Sequence, residues 1–305
     1  MRIVFIGTVD FSEHCLQEIL VNGGNVVAVL TLAPDKAKFN SDYVDLSSLA
    51  DYHEIPLYHI RRARDAETVE LLKSLQPDVI FVFGFSQLIP QEILSLPSKG
   101  CIGTHPALLP RNRGRHPLIW ALVKGLTESG LTFLYLDEGA DSGDILWQRP
   151  FLITLEDDAQ SLYRRIKALA SEAISEFLPQ LEAGTAPRIP QDRGKATYWM
   201  KRTPEDGTIN WGASTIEAYN LIRALTHPYV GARSFLNGKE IRFWKAQLFN
   251  EVESEDYGLF PAGTILVCQP GLIEVKTGDG VLRILDYEWF STLEIQKGQR
   301  FGAES

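Results

Sequence analysis

The sequence predicts an α/β protein: a doubly wound parallel-sheet domain over residues 1–184, a linker over 185–207, and a small OB-like β-barrel over 208–305. Three observations lead there. RIVFIG (2–7) is a short apolar run that ends in Gly7 and opens directly onto a helical pattern, and strand, glycine turn, helix is how doubly wound domains begin. Further near-continuous apolar runs follow, of the kind that parallel strands covered on both faces require. Beyond residue 208 the pattern changes to short strands with an Asn237-Gly238 hairpin signal.

The elements follow in order. Phe11, Cys15, Ile19 and Leu20 share one face of a first helix that Asp10 or Ser12 caps. NVVAVLTL (25–32) is a second buried strand, 66–75 a helix, and DVIFVFG (78–84) a third strand. KGCIGTH (99–105) is a strand, PLIWALVKG (117–125) a glycine-ended helix, and SGLTFLYLD (129–137) a strand. Residues 158–184 carry a long amphipathic helix with its own start and stop signals. TAPRIPQDRGKATYWMKRTPEDG (185–207) has little periodicity and reads as a linker laid over the surface. A helix near 214–225 and about five strands, ARSFLNGKEIRFWKAQLF, TILVCQ, LIEVKTG and VLRILDYEW, make the barrel.

Bulk properties narrow the function. Charged residues are 23% and hydrophobic ones 45% of 305, and no apolar run is long enough to span a bilayer, so no membrane role is expected. Met1 leads straight into a strand rather than a signal peptide, which points to the cytoplasm. Cys15, Cys101 and Cys268 are too few and too scattered for a disulfide framework or a thiolate metal site. A net charge of −9 disfavours a polyanion as partner.

Gly7 alone is no dinucleotide fingerprint, no Walker lysine pattern occurs, and no two histidines have metal-ligand spacing, so no metal is expected. What remains is His105 at the carboxyl end of a strand, where open α/β sheets place their ligands. DEGADSGD (137–144), after the next strand, holds Asp137, Asp141 and Asp144. Two neighbouring strand ends would then offer an imidazole and a carboxylate, a general-base unit in which the carboxylate orients and stabilises the ring that accepts a proton. The same residues would also serve as a satisfied turn histidine and turn-capping aspartates.

HPALLPRNRG followed by LTFLYLDEGADSGDIL resembles the motif pair of the folate-dependent formyltransferases. FIGTVDF near the start and RTPEDGTINW through NLIRALTHPYVGARSFLNGKEIRFWKA are similar to that family as well, so the resemblance covers nearly the whole chain. It implies a parallel-sheet domain that binds N10-formyltetrahydrofolate and passes its formyl group to an amine. It also implies that His105 and Asp141 are catalytic. The pterin would lie against Phe83, Gly84, Phe85, Leu88 and Ile89 and against Asp137, Gly139 and Ala140. The family pattern has an asparagine two residues before the histidine, and this chain has Gly103. A protonated His105, loop N–H groups, a water, Asn112 or His116 could stand in, with a water or a loop donor preferred.

For the acceptor, Arg111, Arg113 and Arg115 stand at alternate positions beside His105, with Asn112 and His116 among them. Guanidinium forks suit phosphate oxygens. Residues 205–305 hold 9 Lys+Arg and 14 Asp+Glu, 9 − 14 = −5, the wrong sign for gripping an RNA backbone. These residues favour a small anionic amine over tRNA, and the resemblance, nearest to the nucleotide-sugar N-formyltransferases of the family, implies a nucleotide-linked amino-deoxy sugar, with no nucleic acid as partner and Tyr43, Tyr198 or Trp199 available to stack on a base. Methionyl-tRNA is the alternative acceptor. A non-catalytic folate-binding homologue and a formyltetrahydrofolate hydrolase are alternatives of another class, and a homodimer is compatible with the sequence.

Overall fold

The computed structural model describes residues 1–37, 41–248, 257–292 and 294–302. The chain divides into two compact units. One comprises Met1–Pro117, Glu128–Leu152 and Tyr163–Met200, the other Leu118–Thr127, Ile153–Leu162 and Lys201–Ser305. Phe249, the last residue of the expected hairpin, lies outside the described residues.

The strands of the first unit are β1 (Ile3–Ile6), β2 (Val26–Leu32), β3 (Leu57–Ile60), β4 (Val79–Val82), β5 (Cys101–His105), β6 (Arg113–Gly114), β7 (Glu128–Tyr135), β8 (Ile145–Leu152) and β9 (Tyr198–Trp199). Its helices are α1 (Asp10–Val21), α2 (Pro34–Ala37), α3 (Ser47–Tyr52), α4 (Ala66–Leu75) and α5 (Gln91–Leu94), with α6 (Pro117–Val123) assigned from Leu118 on to the second unit and α7 (Ala159–Ala183) to the first from Tyr163 on. Seven strands form one sheet in the order β3-β2-β1-β4-β5-β7-β8. The junctions from β3 to β5 are parallel. Those between β5 and β7 and between β7 and β8 are antiparallel. The doubly wound plan is thus extended by an antiparallel edge.

Both faces of the sheet are covered, as the apolar runs of β1 and β4 demand. On one face Val4, Ile6, Leu30, Ile80 and Val82 pack with Val69 and Leu72 of α4. On the other, Phe81 stacks on Phe83 at 5.1 Å, Phe83 meets Phe133 edge-on at 5.2 Å, and Phe133 meets Phe177 of α7 at 5.0 Å. Burying each such ring is worth about 1.5–3 kcal/mol.

The order of strands reverses between β1 and β4, and the turns that leave these two strands meet there. Ser12 joins them. Its Oγ accepts the N–H groups of Thr8 and Val9 and donates to the carbonyl of Phe83 at 2.6 Å. Ser12 therefore serves the helix start from inside the first turn, while Asp10 is paired with Lys167.

The second unit carries α8 (Thr215–Leu225), whose Ser214 and Glu217 form a reciprocal cap, and strands β10 (Ala232–Leu236), β11 (Lys239–Leu248), β12 (Ile265–Gln269), β13 (Leu272–Lys276) and β14 (Val281–Trp289). These strands make an antiparallel sheet in the order β10-β11-β14-β13-β12. Phe235 of edge strand β10 bridges to Gly302, and Thr264, at the start of the other edge strand, bridges to Arg300, so the 300–302 segment closes the sheet toward a barrel. Asn237 and Gly238 both have positive φ, 51° and 73°, as a two-residue hairpin of this twist requires.

Candidate active site

β5 delivers His105 to the carboxyl end of the parallel strands, beside the switch between β1 and β4. β7 runs the other way. Its register sets Ile102 opposite Tyr135 and His105 opposite Thr132, so the carboxyl end of β7 lies at the beginning of β5, not beside His105. The expectation of two neighbouring carboxyl ends is corrected accordingly: Asp141 reaches His105 because the 136–144 loop returns along β5. The turn that brings it back has Asp141 in the left-handed region at φ 54°.

His105 is 3% exposed, and its Nε2 lies 2.7 Å from the carbonyl of Asn112. A carbonyl only accepts, so Nε2 carries a hydrogen and donates it. The other nitrogen, Nδ1, faces Asp141 Oδ2 at 3.6 Å, too far for a direct hydrogen bond. A proton arriving at Nδ1 would turn a lone pair facing a carboxylate into an ion pair. The same Oδ2 accepts the N–H of Gly114 at 2.9 Å, which fixes its direction.

Around this pair runs a polar network that the sequence left unread. Gln191 Nε2 donates to the carbonyls of Asp141 and Gly143 at 2.9 and 2.6 Å, and its Oε1 accepts from Arg113 Nε and Nη2. Arg113 Nη1 donates to the Tyr198 hydroxyl at 2.9 Å. Thr197 Oγ1 accepts the N–H of Asn112, and its carbonyl accepts the N–H of Arg113. β6 and β9 pair in parallel, Arg113 opposite Tyr198 and Gly114 opposite Trp199. A side chain at Gly114 would collide with the Trp199 carbonyl. The only hint in the sequence is the short TYW run inside a segment otherwise without periodicity.

The expected substrate residues are dispersed. Arg113 is turned inward, 2% exposed, with its guanidinium bonded within the protein. Arg111 and Arg115 are exposed, the latter donating to the Ser86 carbonyl. Asn112 and His116 both adopt left-handed backbone, at φ 61° and 57°. Asn112 uses its side-chain oxygen to accept from Thr197. Tyr198 and Trp199 lie on β9, while Tyr43 is bridged to Val9.

A cavity of about 840 Å³ opens beside the Asp141 loop, lined by Leu136, Asp137, Gly139 and Ser142 together with Arg193 and Tyr198 of the linker. Asp137 Oδ1 holds the loop by accepting from Gly139 N–H and Ser142 Oγ, and Ala140 is exposed on the same turn. Phe83 is fully buried and Ile89 nearly so, both in the core. Gly84 turns the chain at φ 63°, Phe85 is half-buried, and Leu88 is 76% exposed. At Gly103 a Cβ would lie 2.5 Å from Leu136 Cδ2. Leucine thus fills the place that the family pattern gives to an asparagine.

Residues 1–178 match the formyl transferase family and residues 201–296 its C-terminal domain. The chain belongs to the formyl transferase family. Within it, the chain is 34% identical to the methionyl-tRNA formyltransferase of Geobacter sulfurreducens, over 99% of this chain and 97% of that one. It is 37% identical to the methionyl-tRNA formyltransferase of Caldanaerobacter subterraneus subsp. tengcongensis, over 94% and 92%. The N-formyltransferase from Helicobacter canadensis, solved with folinic acid and dTDP-3-aminofucose, shares the fold at a TM-score of 0.69. It is 20% identical, over 94% of this chain and 99% of that one.

These relatives overturn two expectations, the nucleotide-linked amino sugar as acceptor and the exclusion of nucleic acid. The physical reasons are visible. One of the three arginines credited with phosphate recognition, Arg113, is 2% exposed and bonded to Gln191 and Tyr198. A domain's summed charge of −5 averages over its whole surface and does not fix the sign of the part that meets a ligand. Among the described residues, no helix is long and apolar enough to cross a membrane.

Proposed function

We propose that this formyl transferase moves the formyl group of N10-formyltetrahydrofolate onto the amino group of methionyl-tRNA, with His105 and Asp141 managing the proton. The acceptor rests on the 34% identity, across 99% of the chain, to a relative named for that activity. The donor is supported by the family and by the folinic acid held in the Helicobacter canadensis relative. The cavity of about 840 Å³ lined by Leu136, Asp137, Gly139 and Ser142 of the Asp141 loop has the size of a small-molecule site.

The neutral amine attacks the formyl carbon and a tetrahedral oxyanion forms. His105 Nδ1 takes the proton that the new amine nitrogen sheds, Asp141 stabilises the imidazolium, and the proton passes to N10 as tetrahydrofolate leaves. With leucine in the place of the asparagine carboxamide, the oxyanion is met by a loop N–H or a water.

The test is incubation of the purified protein with the formyl donor and methionyl-tRNA. Formylmethionyl-tRNA and tetrahydrofolate should appear in equal amounts, and His105→Ala and Asp141→Asn should lower the rate by about 10²–10⁴. Release of tetrahydrofolate without formylated methionine would make the chain a hydrolase instead. Binding of donor without turnover would make it a non-catalytic folate protein.

A further inference from the structure

We infer that the linker is a working part of the active site: Gln191 positions Asp141, and Thr197 positions His105 through Asn112. The inference rests on the reading of His105 and Asp141 as the proton-handling pair.

Asp141 and Asn112 are both non-glycine residues in left-handed backbone, φ 54° and 61°. Asn and Asp tolerate this backbone better than most non-glycine residues, and it persists where the surroundings over-determine it. At Asp141 the constraint comes from Gln191, whose amide is fully used: both hydrogens go to the Asp141 and Gly143 carbonyls, and the oxygen faces Arg113. The amide has one workable orientation. Reversed, it would point an oxygen at two carbonyls and hydrogens at a guanidinium. Gln191 thereby ties together the two sides of the turn that carries the carboxylate.

At Asn112 the constraint comes from Thr197, whose hydroxyl oxygen accepts the Asn112 N–H at 2.8 Å. The carbonyl of Asn112 is then placed 2.7 Å from His105 Nε2, and this contact selects which ring nitrogen carries the hydrogen. Both residues of the pair are therefore oriented by groups some fifty to ninety positions later in the chain: Gln191 is 50 residues from Asp141, and Thr197 is 85 from Asn112. Neither Gln191 nor Thr197 has to touch the substrate, so they are positioning residues.

The experiment compares Gln191→Glu, Thr197→Val and Thr197→Ser in the full chain, with Lys195→Ala, whose amino group pairs with Asp192, as the control on the same segment. Gln191→Glu keeps the shape and the contact with Arg113 but turns an acceptor toward two carbonyls. Misplacing a reacting group by about 1 Å costs about 100-fold, so kcat should fall on that scale in Gln191→Glu and Thr197→Val. KM for both substrates should stay within about threefold, since ground-state binding is untouched. Thr197→Ser should restore kcat and Lys195→Ala should leave it unchanged.

The second readout needs no turnover. Long-range ¹⁵N–¹H correlation on ¹⁵N-histidine protein, with His105 assigned by its loss in His105→Gln, should show the hydrogen on Nε2 in the wild type and a shifted tautomer population in Thr197→Val. Folded Gln191→Glu and Thr197→Val proteins with wild-type kcat would overturn the inference. So would a Thr197→Ser protein as slow as Thr197→Val, or an unchanged His105 tautomer in Thr197→Val. Failure of the wild type to formylate methionyl-tRNA would sink the proposed acceptor, while the tautomer measurement would still judge the relay.

Discussion

Leu136 occupies the space that a side chain on Gly103 would need, its Cδ2 standing 2.5 Å from the Cβ position. The two residues therefore specify each other. Gly103→Asn alone overpacks the site, at a cost of about 1–3 kcal/mol, and should slow turnover. Together with Leu136→Ala the asparagine gains room and adds a donor toward the oxyanion, and kcat should rise by about 100-fold over Leu136→Ala alone. Urea unfolding and formylation kinetics on the three proteins check both halves. No gain in the double variant would mean that a loop N–H or water already meets the oxyanion in full.

Arg113, 2% exposed and bonded to Gln191 and Tyr198, should behave as a structural cation. Arg113→Ala leaves buried neutral partners unsatisfied and is expected to cost about 1–3 kcal/mol, read as a lower urea midpoint. Arg113→Lys should recover little, because an ammonium cannot reproduce the forked contact. A stable Arg113→Ala protein with a raised KM for the acceptor alone would instead restore the phosphate-binding role.

Arg111 and Arg115 are exposed beside the same loop. If they meet acceptor phosphates, each alanine substitution should weaken methionyl-tRNA binding and reduce the slope of log affinity against log salt by about 0.7–0.9. Equal slopes in wild type and variants, from fluorescence titrations across a salt series, would remove them from the interface.

Asp42 gives a pH signature away from the site. Burial pushes its carboxyl up from the ordinary 3.8, against the opposing pull of the hydrogen bond from Tyr163. A carboxyl raised in the folded state favours folding while it is protonated, and that contribution is lost as pH rises through the raised value. Asp42→Asn, which still accepts from Tyr163, should therefore be more stable than the wild type near pH 7 and converge with it below the ordinary carboxyl range. Denaturant midpoints from pH 3 to 7 test the trend, and a gap that widens on acidification would contradict it.

Much of the fold was legible because its signals are local. The apolar runs of β1, β2, β4 and β5, the helical face of Phe11, Cys15 and Ile19, and the Asn237-Gly238 turn each declare themselves within a few residues. Strand direction does not: nothing in SGLTFLYLD distinguishes a parallel from an antiparallel neighbour, and that one ambiguity put the carboxyl end of β7 at the wrong end of β5, although Asp141 does reach His105 through its loop. The site was half legible for the same reason. His105 and Asp141 carry chemistry in their side chains, whereas Gln191 and Thr197 matter through contacts made 50 and 85 residues away. Arg113 and Arg115 are the same residue type two positions apart, and only the fold decides that one faces the core and the other the solvent.

The pairing of β6 with β9 bears on where this gene product can be divided. The last helix of the first domain ends at Ala183, the boundary that periodicity alone would choose for a cut. Yet the compact unit that contains His105 runs on to Met200. A fragment ended at the helix would lose the strand that backs Gly114 and the Gln191 and Thr197 side chains bonded to Asp141 and Asn112. Recombination between relatives at that junction would pair one parent's Asp141 loop with another parent's support. Exchanges of this half of the molecule are best made after residue 200, with the linker travelling as part of the enzyme it braces.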